Sequence, residues 1–134
     1  TAAITGLRLA TGAPHLFKAL VEATAFGSRA IVERFRNEQV PVNGVIGVGG
    51  IAKKSPYVMQ TLADVLDMPI KVARSEHACA LGAAMCAATA SGIYPDIQAA
   101  QLAMSGGFDA EYLPEKARAA VYGKLYRRYR ALGS

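Results

Sequence analysis

The sequence contains no tryptophan, only two cysteines and two histidines, and 7% aromatic residues. Cys79 and Cys86 lie seven positions apart, a separation of roughly 10 Å along a helix and too long for a disulfide. They are expected to be small buried thiols of a reducing cytoplasm. With His77 they lack the short paired spacings of structural zinc sites, so no metal site is expected. His15 and His77 have no spacing that marks a nucleophile and its base, and no catalytic residue is assigned. No apolar run reaches the roughly 18 residues of a membrane span, and the start, Thr1-Ala2-Ala3-Ile4-Thr5, has no basic or long apolar region of a targeting segment. The first residue is not Met, and strand-compatible residues follow at once. The expectation is a cytoplasmic piece of a longer protein.

What is present is a chain able to bury a core. Its 134 residues, 52% hydrophobic and 19% charged, suit one domain or a large part of one. The formal charge of +5 is dispersed apart from Lys53-Lys54 and Arg127-Arg128-Tyr129-Arg130. That last group could suggest nucleic acid, where basic side chains meet phosphate and aromatics stack on bases. Yet Tyr122, Leu125, Tyr129 and Leu132 share one helical face, so the arginines read as the solvated side of a packed helix. No nucleic acid partner is expected.

The order of elements points to an α/β fold of short parallel strands and long helices with a helix-rich C-terminus. Ala3 to Leu9 reads as a short strand. Pro14 suits a first helical turn, and Leu16, Leu20, Ala23, Gly27, Ala30 and Ile31 mark about six turns of amphipathic helix. After Pro41 and Asn43-Gly44, Val45 to Val48 is a buried strand. Ser55-Pro56 opens a helix with Val58, Met59, Leu62, Ala63 and Leu66 as its apolar stripe. Ile70 to Ala73 is a second strand, and Ser75 can cap an alanine-rich helix from His77 to Ser91, which Gly92 closes. Small residues on every face of that helix predict burial against a sheet or another helix. Asp96 to Met104 and Pro114 to Leu132 are helical, joined through Ser105-Gly106-Gly107.

The segment that carries chemistry is Val48-Gly49-Gly50-Ile51-Ala52-Lys53-Lys54-Ser55-Pro56. A glycine pair leaving the C-terminal end of a parallel strand stands where such sheets hold ligands, and it lets backbone lie against a ring or phosphate. An isolated Gly-Gly is more often only a tight turn. Gly47, Gly49 and Ala52 also fit the dinucleotide pattern G-x-G-x-x-A, but the helix is expected to begin beyond it, at Ser55-Pro56. Asp64 is expected on the polar side of its helix and Asp67 near its end.

Gly49 to Pro56, Met59-Gln60, Ala63-Asp64-Val65 and Ala80-Leu81-Gly82-Ala83-Ala84, with Thr5-Gly6-Leu7 and Ala19 to Gly27 upstream, resemble the C-terminal region of the FGGY carbohydrate kinases. Ile70 to Ala73, Ala83-Ala84-Met85 and Leu125 to Tyr129 look most like the branch that phosphorylates L-ribulose. The resemblance implies part of a ribonuclease-H-like, actin-like ATPase domain: residues 1–134 as a partial nucleotide-binding domain, its sugar-binding and catalytic partner elsewhere. It implies ATP with Mg2+ as cofactors and a pentulose as the sugar. Gly49 and Gly50 then contact the nucleotide through backbone, within a site running through Ile51, Ala52, Lys53, Lys54 and Ser55. Lys54 stands where many members carry Asn or Ser, and a lysine there could instead reach a phosphate. The family's catalytic aspartate has no counterpart here, so the fragment is expected to be inactive, and its exposed sheet edges are expected to promote self-association. The alternatives are an actin-like or chaperone-like nucleotide module without sugar chemistry, and a nicotinamide-dinucleotide-binding domain.

Overall fold

The computed structural model describes residues 3–133. The long periodic segment forms helix α1, Ala13–Asn37, with Pro14 in its first turn. His15 Nδ1 accepts the Gly12 N–H at 3.3 Å, using one of the amide donors that every helix start leaves without an intrahelical partner. Arg34 and Arg36 sit in the last turn, where cations complement the helix dipole. Then come β1, Val45–Gly47; α2, Gly50–Lys54; α3, Pro56–Leu66; and β2, Ile70–Ala73. The chain continues through α4, Ala78–Ala90; α5, Ile97–Met104; β3, Phe108–Tyr112; and α6, Lys116–Leu132.

The sheet order is β1-β2-β3. β1 and β2 are parallel, with Val45 opposite Ile70 and Gly47 opposite Val72. β3 runs antiparallel to β2, Ile70 facing Tyr112, with an irregularity between Val72 and Ala73. The sheet is therefore mixed rather than wholly parallel. Phe108, Ala110 and Tyr112 alternate with Asp109 and Glu111, and that period of two was a strand signal which the expected helix-link-helix reading passed over.

Helix α3 lies at the centre. Met59, Thr61, Ala63, Asp64, Val65 and Leu66 are all buried in it, and it touches α1, α2, α6, β2 and β3. Met59, Ala63 and Leu66 pack with Ala52, Met68, Ile70 and Val72 on its sheet side. Val65 packs with Ala25, Phe26, Tyr122 and Tyr126 on the other. Full burial of a side chain such as Ile70, 1% exposed, contributes about 1.5–3 kcal/mol. Ser55 caps α3 as expected, its Oγ accepting the Val58 N–H at 3.4 Å. Asp96 caps α5 in the same way, its Oδ1 accepting from Ala99 N–H at 2.8 Å.

Several expectations are corrected. Residues 3–8 form no strand and are exposed. Among the described residues no strand lies beside them to take their backbone hydrogen bonds, and a strand is defined by that pairing. Cys79 and Cys86 are exposed rather than buried. The alanine-rich α4 buries only Met85 and packs chiefly on α5, so most of its small residues face outward. Asp64 is not on a polar face. It is 1% exposed, accepting from Gln60 Nε2 at 3.0 Å and from the Glu115 N–H at 2.8 Å, and it pairs with Arg118 Nε at 3.0 Å. Asp67 does end α3, in the left-handed conformation with φ 49°, and pairs with Lys116 at 3.1 Å.

In the C-terminal helix Tyr122 and Tyr126 are buried. Tyr126 donates its hydroxyl to Glu33 at 2.8 Å and lies 4.5 Å under the Arg29 guanidinium. Among the described residues no helix is long and apolar enough to cross a membrane.

Candidate functional site

Three glycines shape the exit from β1, each differently. A Cβ on Gly47 would come within 2.6 Å of Met59 Cε and 3.2 Å of Ala52 Cβ, so this glycine lets β1 lie close against α2 and α3. Gly49 has φ 82° and ψ −176°, a region essentially reserved for glycine. It reverses the chain so that α2 begins at once, at Gly50. A short helix therefore starts inside the glycine motif, ahead of the one that Ser55-Pro56 opens, because Gly49 supplies a turn that no other residue makes cheaply. A Cβ on Gly50 would meet nothing within 4 Å. No neighbour requires glycine at this helical position, where it costs stability relative to alanine, and the backbone is left open on that side.

Beyond the glycines the predicted residues separate by direction. Ile51 is 60% exposed, while Ala52 is 3% exposed and turns its methyl into the core beside Met59. Lys54 is exposed. Ser55 is committed as the α3 cap. Lys53 reaches across to the end of β2: its ammonium donates to the Arg74 carbonyl, pairs with Asp109 Oδ2 at 3.1 Å and lies 4.0 Å from Glu76. Asp109 Oδ1 also accepts from Arg74 Nε at 3.0 Å. Its hydrogen bonds from Lys53 and then Arg74 hold the carboxyl below the usual aspartate value, because both favour the charged form.

The structure thus brings Gly49, Gly50, Ile51 and Lys54 to one open edge at the C-terminal ends of the parallel strands. Ala52 and Ser55 serve packing and capping. Through Lys53, the ends of β1 and β2 are joined, and Glu76 at the approach to α4 is drawn to the same edge. Sequence reasoning missed Arg74 and Asp109; the alternation in Phe108–Tyr112 would have placed Asp109 on a strand, but only the pairing with β2 sets it beside Lys53. An apolar hollow of about 350 Å³, bounded by Ile31, Val32, Ile46, Val48 and Ile51, lies beside β1 and α2. A larger groove of about 730 Å³ is lined by α1 and the end of α6. Neither includes the glycine pair. Among the described residues no group of three or more His, Cys, Asp or Glu side chains is placed to hold a metal ion.

This geometry, a glycine turn at a parallel-strand edge followed by a buried helix, coincides with family membership. The sequence model of the FGGY family of carbohydrate kinases, C-terminal domain, matches residues 1–91, and the chain belongs to that family. It is 46% identical over 131 residues to a ribulokinase of Vibrio parahaemolyticus, covering 98% of this chain and 23% of that protein. A ribulokinase of Bacillus licheniformis is 40% identical over 136 residues, covering 98% and 25%. In three dimensions the chain is similar to a xylulose kinase from Rhodospirillum rubrum, with a TM-score of 0.80 and 30% identity over 96% of this chain and 26% of the other. The fold is accordingly that of the actin-like sugar kinases. The chain spans about a quarter of the length of these curated relatives.

Proposed function

We propose that the chain is the adenosine-contacting part of an ATP-dependent kinase whose sugar is L-ribulose. The observation that carries this reading is the glycine pair: Gly49 in a glycine-only conformation and Gly50 with open space where a side chain would stand. Its support for ATP comes from the family, and for the sugar from ribulokinase relatives at up to 46% identity.

In this reading the backbone of Gly49 and Gly50 lies against the adenosine, Ile51 offers apolar surface beside it, and Lys54 reaches toward ribose or phosphate. Ala52 and Ser55 act from behind, holding α2 on the core and starting α3. Mg2+ held by the phosphates of ATP would supply charge neutralisation at the transferring group. In the whole protein the sugar hydroxyl oxygen bonds to the γ-phosphorus as the bond to the β,γ-bridging oxygen breaks. The hydroxyl proton passes to a base outside this chain. Positioning and charge stabilisation from both sides of a cleft carry such a transfer, so these 134 residues alone bind nucleotide weakly and turn over none.

The test is an amide-resolved NMR titration of the chain with ATP–Mg2+ and, separately, NADH, with ATP consumption by the full-length protein measured against L-ribulose, xylulose and glycerol. Shifts centred on residues 49–55 with ATP, and turnover greatest with L-ribulose, are expected. The same shifts with NADH alone would overturn the adenosine reading, and turnover greatest with another sugar would overturn the assignment of L-ribulose.

A further inference from the structure

Helix α2 is only five residues long, with glycine at its N-cap, Gly49, and at its first position, Gly50, so little in its own backbone holds its direction. Of its side chains only Ala52 is buried. Its C-terminal end runs into α3 through Ser55, and a further attachment is Lys53, whose side chain is 24% exposed although a lysine on so short a surface helix is free to extend into solvent. It is folded back over the strand ends instead. There it meets one neutral acceptor, the Arg74 carbonyl, and two carboxylates, Asp109 at 3.1 Å and Glu76 at 4.0 Å.

Asp109 is fixed in turn by the antiparallel pairing of β2 with β3 and by Arg74. A lysine so placed has its charge balanced by Asp109 and is drawn toward the end of β2 by the Arg74 carbonyl. It is poorly disposed to serve a phosphate, whereas exposed Lys54 has no comparable carboxylate beside it among the described residues.

We propose that Lys53 and Asp109 form a tether that sets the position of the glycine turn, making Asp109 on β3 a positioning residue for nucleotide binding and Lys53 a strut rather than a phosphate ligand. The role in nucleotide binding rests on the adenosine reading above; the tether itself does not. Without it, α2 keeps its packing through Ala52 and its junction with α3 at Ser55, but nothing ties it to the end of β2, and the glycine turn samples more orientations. Nucleotide then binds a smaller population of competent turns, and apparent affinity falls by that fraction.

The experiment uses the full-length protein with Lys53→Met, Asp109→Asn and the double variant, numbered as in this chain. ATP affinity, kcat, the KM for sugar and amide exchange of residues 49–54 without nucleotide are measured. Each single variant is expected to weaken ATP binding about three- to tenfold, the scale of losing a modest ion pair. The sugar KM and kcat should hold, residues 49–54 should exchange faster, and the double variant should be no worse than either single one. Asp109→Glu should recover part of the loss.

A direct phosphate role for Lys53 gives the opposite pattern: Lys53→Met weakens ATP while Asp109→Asn, freeing the lysine, tightens it or leaves it unchanged. That pattern, additive losses in the double variant, or unchanged exchange in the single variants would overturn the tether. Failure of the wild-type protein to bind ATP would instead overturn the adenosine reading, and amide exchange alone would then decide the tether.

Discussion

Gly47, Gly49 and Gly50 share one short segment, yet each is glycine for a different reason, and substitution by alanine separates them. At Gly49 the backbone has φ 82°, so Gly49→Ala should destabilise the chain by about 1–3 kcal/mol through strain alone. At Gly50 the added methyl meets open space on a helical residue. Gly50→Ala should leave stability unchanged or raise it by up to about 1 kcal/mol while weakening ATP binding. Thermal melts paired with nucleotide titration test both, and a Gly50→Ala protein that binds ATP normally would count against backbone contact there. Tyr122 offers a pH-dependent test at the same scale. Burial, then the neighbouring Glu22 carboxylate, pushes its phenol up to about 12. The folded state favours the protonated ring, so this stabilisation is complete below the unfolded value of about 10 and is lost as pH rises toward 12. Ultraviolet titration should resolve a late-ionising tyrosine that Tyr122→Phe removes.

Elements are joined chiefly through α3, and its one buried carboxylate decides how α6 docks. Asp64 accepts from Gln60 and from the Glu115 N–H just before α6, and pairs with Arg118 within it. Asp64→Ala strands the Glu115 N–H and removes a buried partner from Arg118, which keeps its pair with Glu115, and should cost about 2–3 kcal/mol by denaturant unfolding. Arg118→Ala removes a side chain that is 48% exposed and should cost less than about 1 kcal/mol. Equal losses would mean that the ion pair, rather than the buried acceptor, holds the joint. This role was hidden in the sequence because Asp64 sits among apolar neighbours and the partners that tie it to α6 are distant. Gln60 is one turn away, but Glu115 and Arg118 lie about fifty positions on and meet it only after β3 has turned the chain back.

For the whole molecule, both outer strands are open. β1 and β3 end the described sheet, and Ile46, Val48 and Ile51 beside β1 are 56%, 51% and 60% exposed. Unpaired strand edges flanked by apolar side chains template association, so the isolated chain should self-associate as concentration rises. Sedimentation velocity checks this, and a single monomeric boundary at high concentration would refute it.

Local chemistry was legible in the sequence wherever neighbours along the chain do the work. The periodicity of α1, the Ser55-Pro56 start of α3, the Gly92 stop after α4 and the ordered motifs of the FGGY family all depend on residues within a few positions of one another. Tertiary structure decided what depends on distant partners. Residues 3–8 lack a neighbouring strand and stay irregular, whereas Phe108–Tyr112 finds β2 and becomes one. Within the glycine segment itself, Ala52, Lys53 and Lys54 are adjacent in sequence but part company in space. A short helix turns the first into the core, folds the second onto Asp109 and leaves the third exposed, because only the packed sheet defines which side is inside.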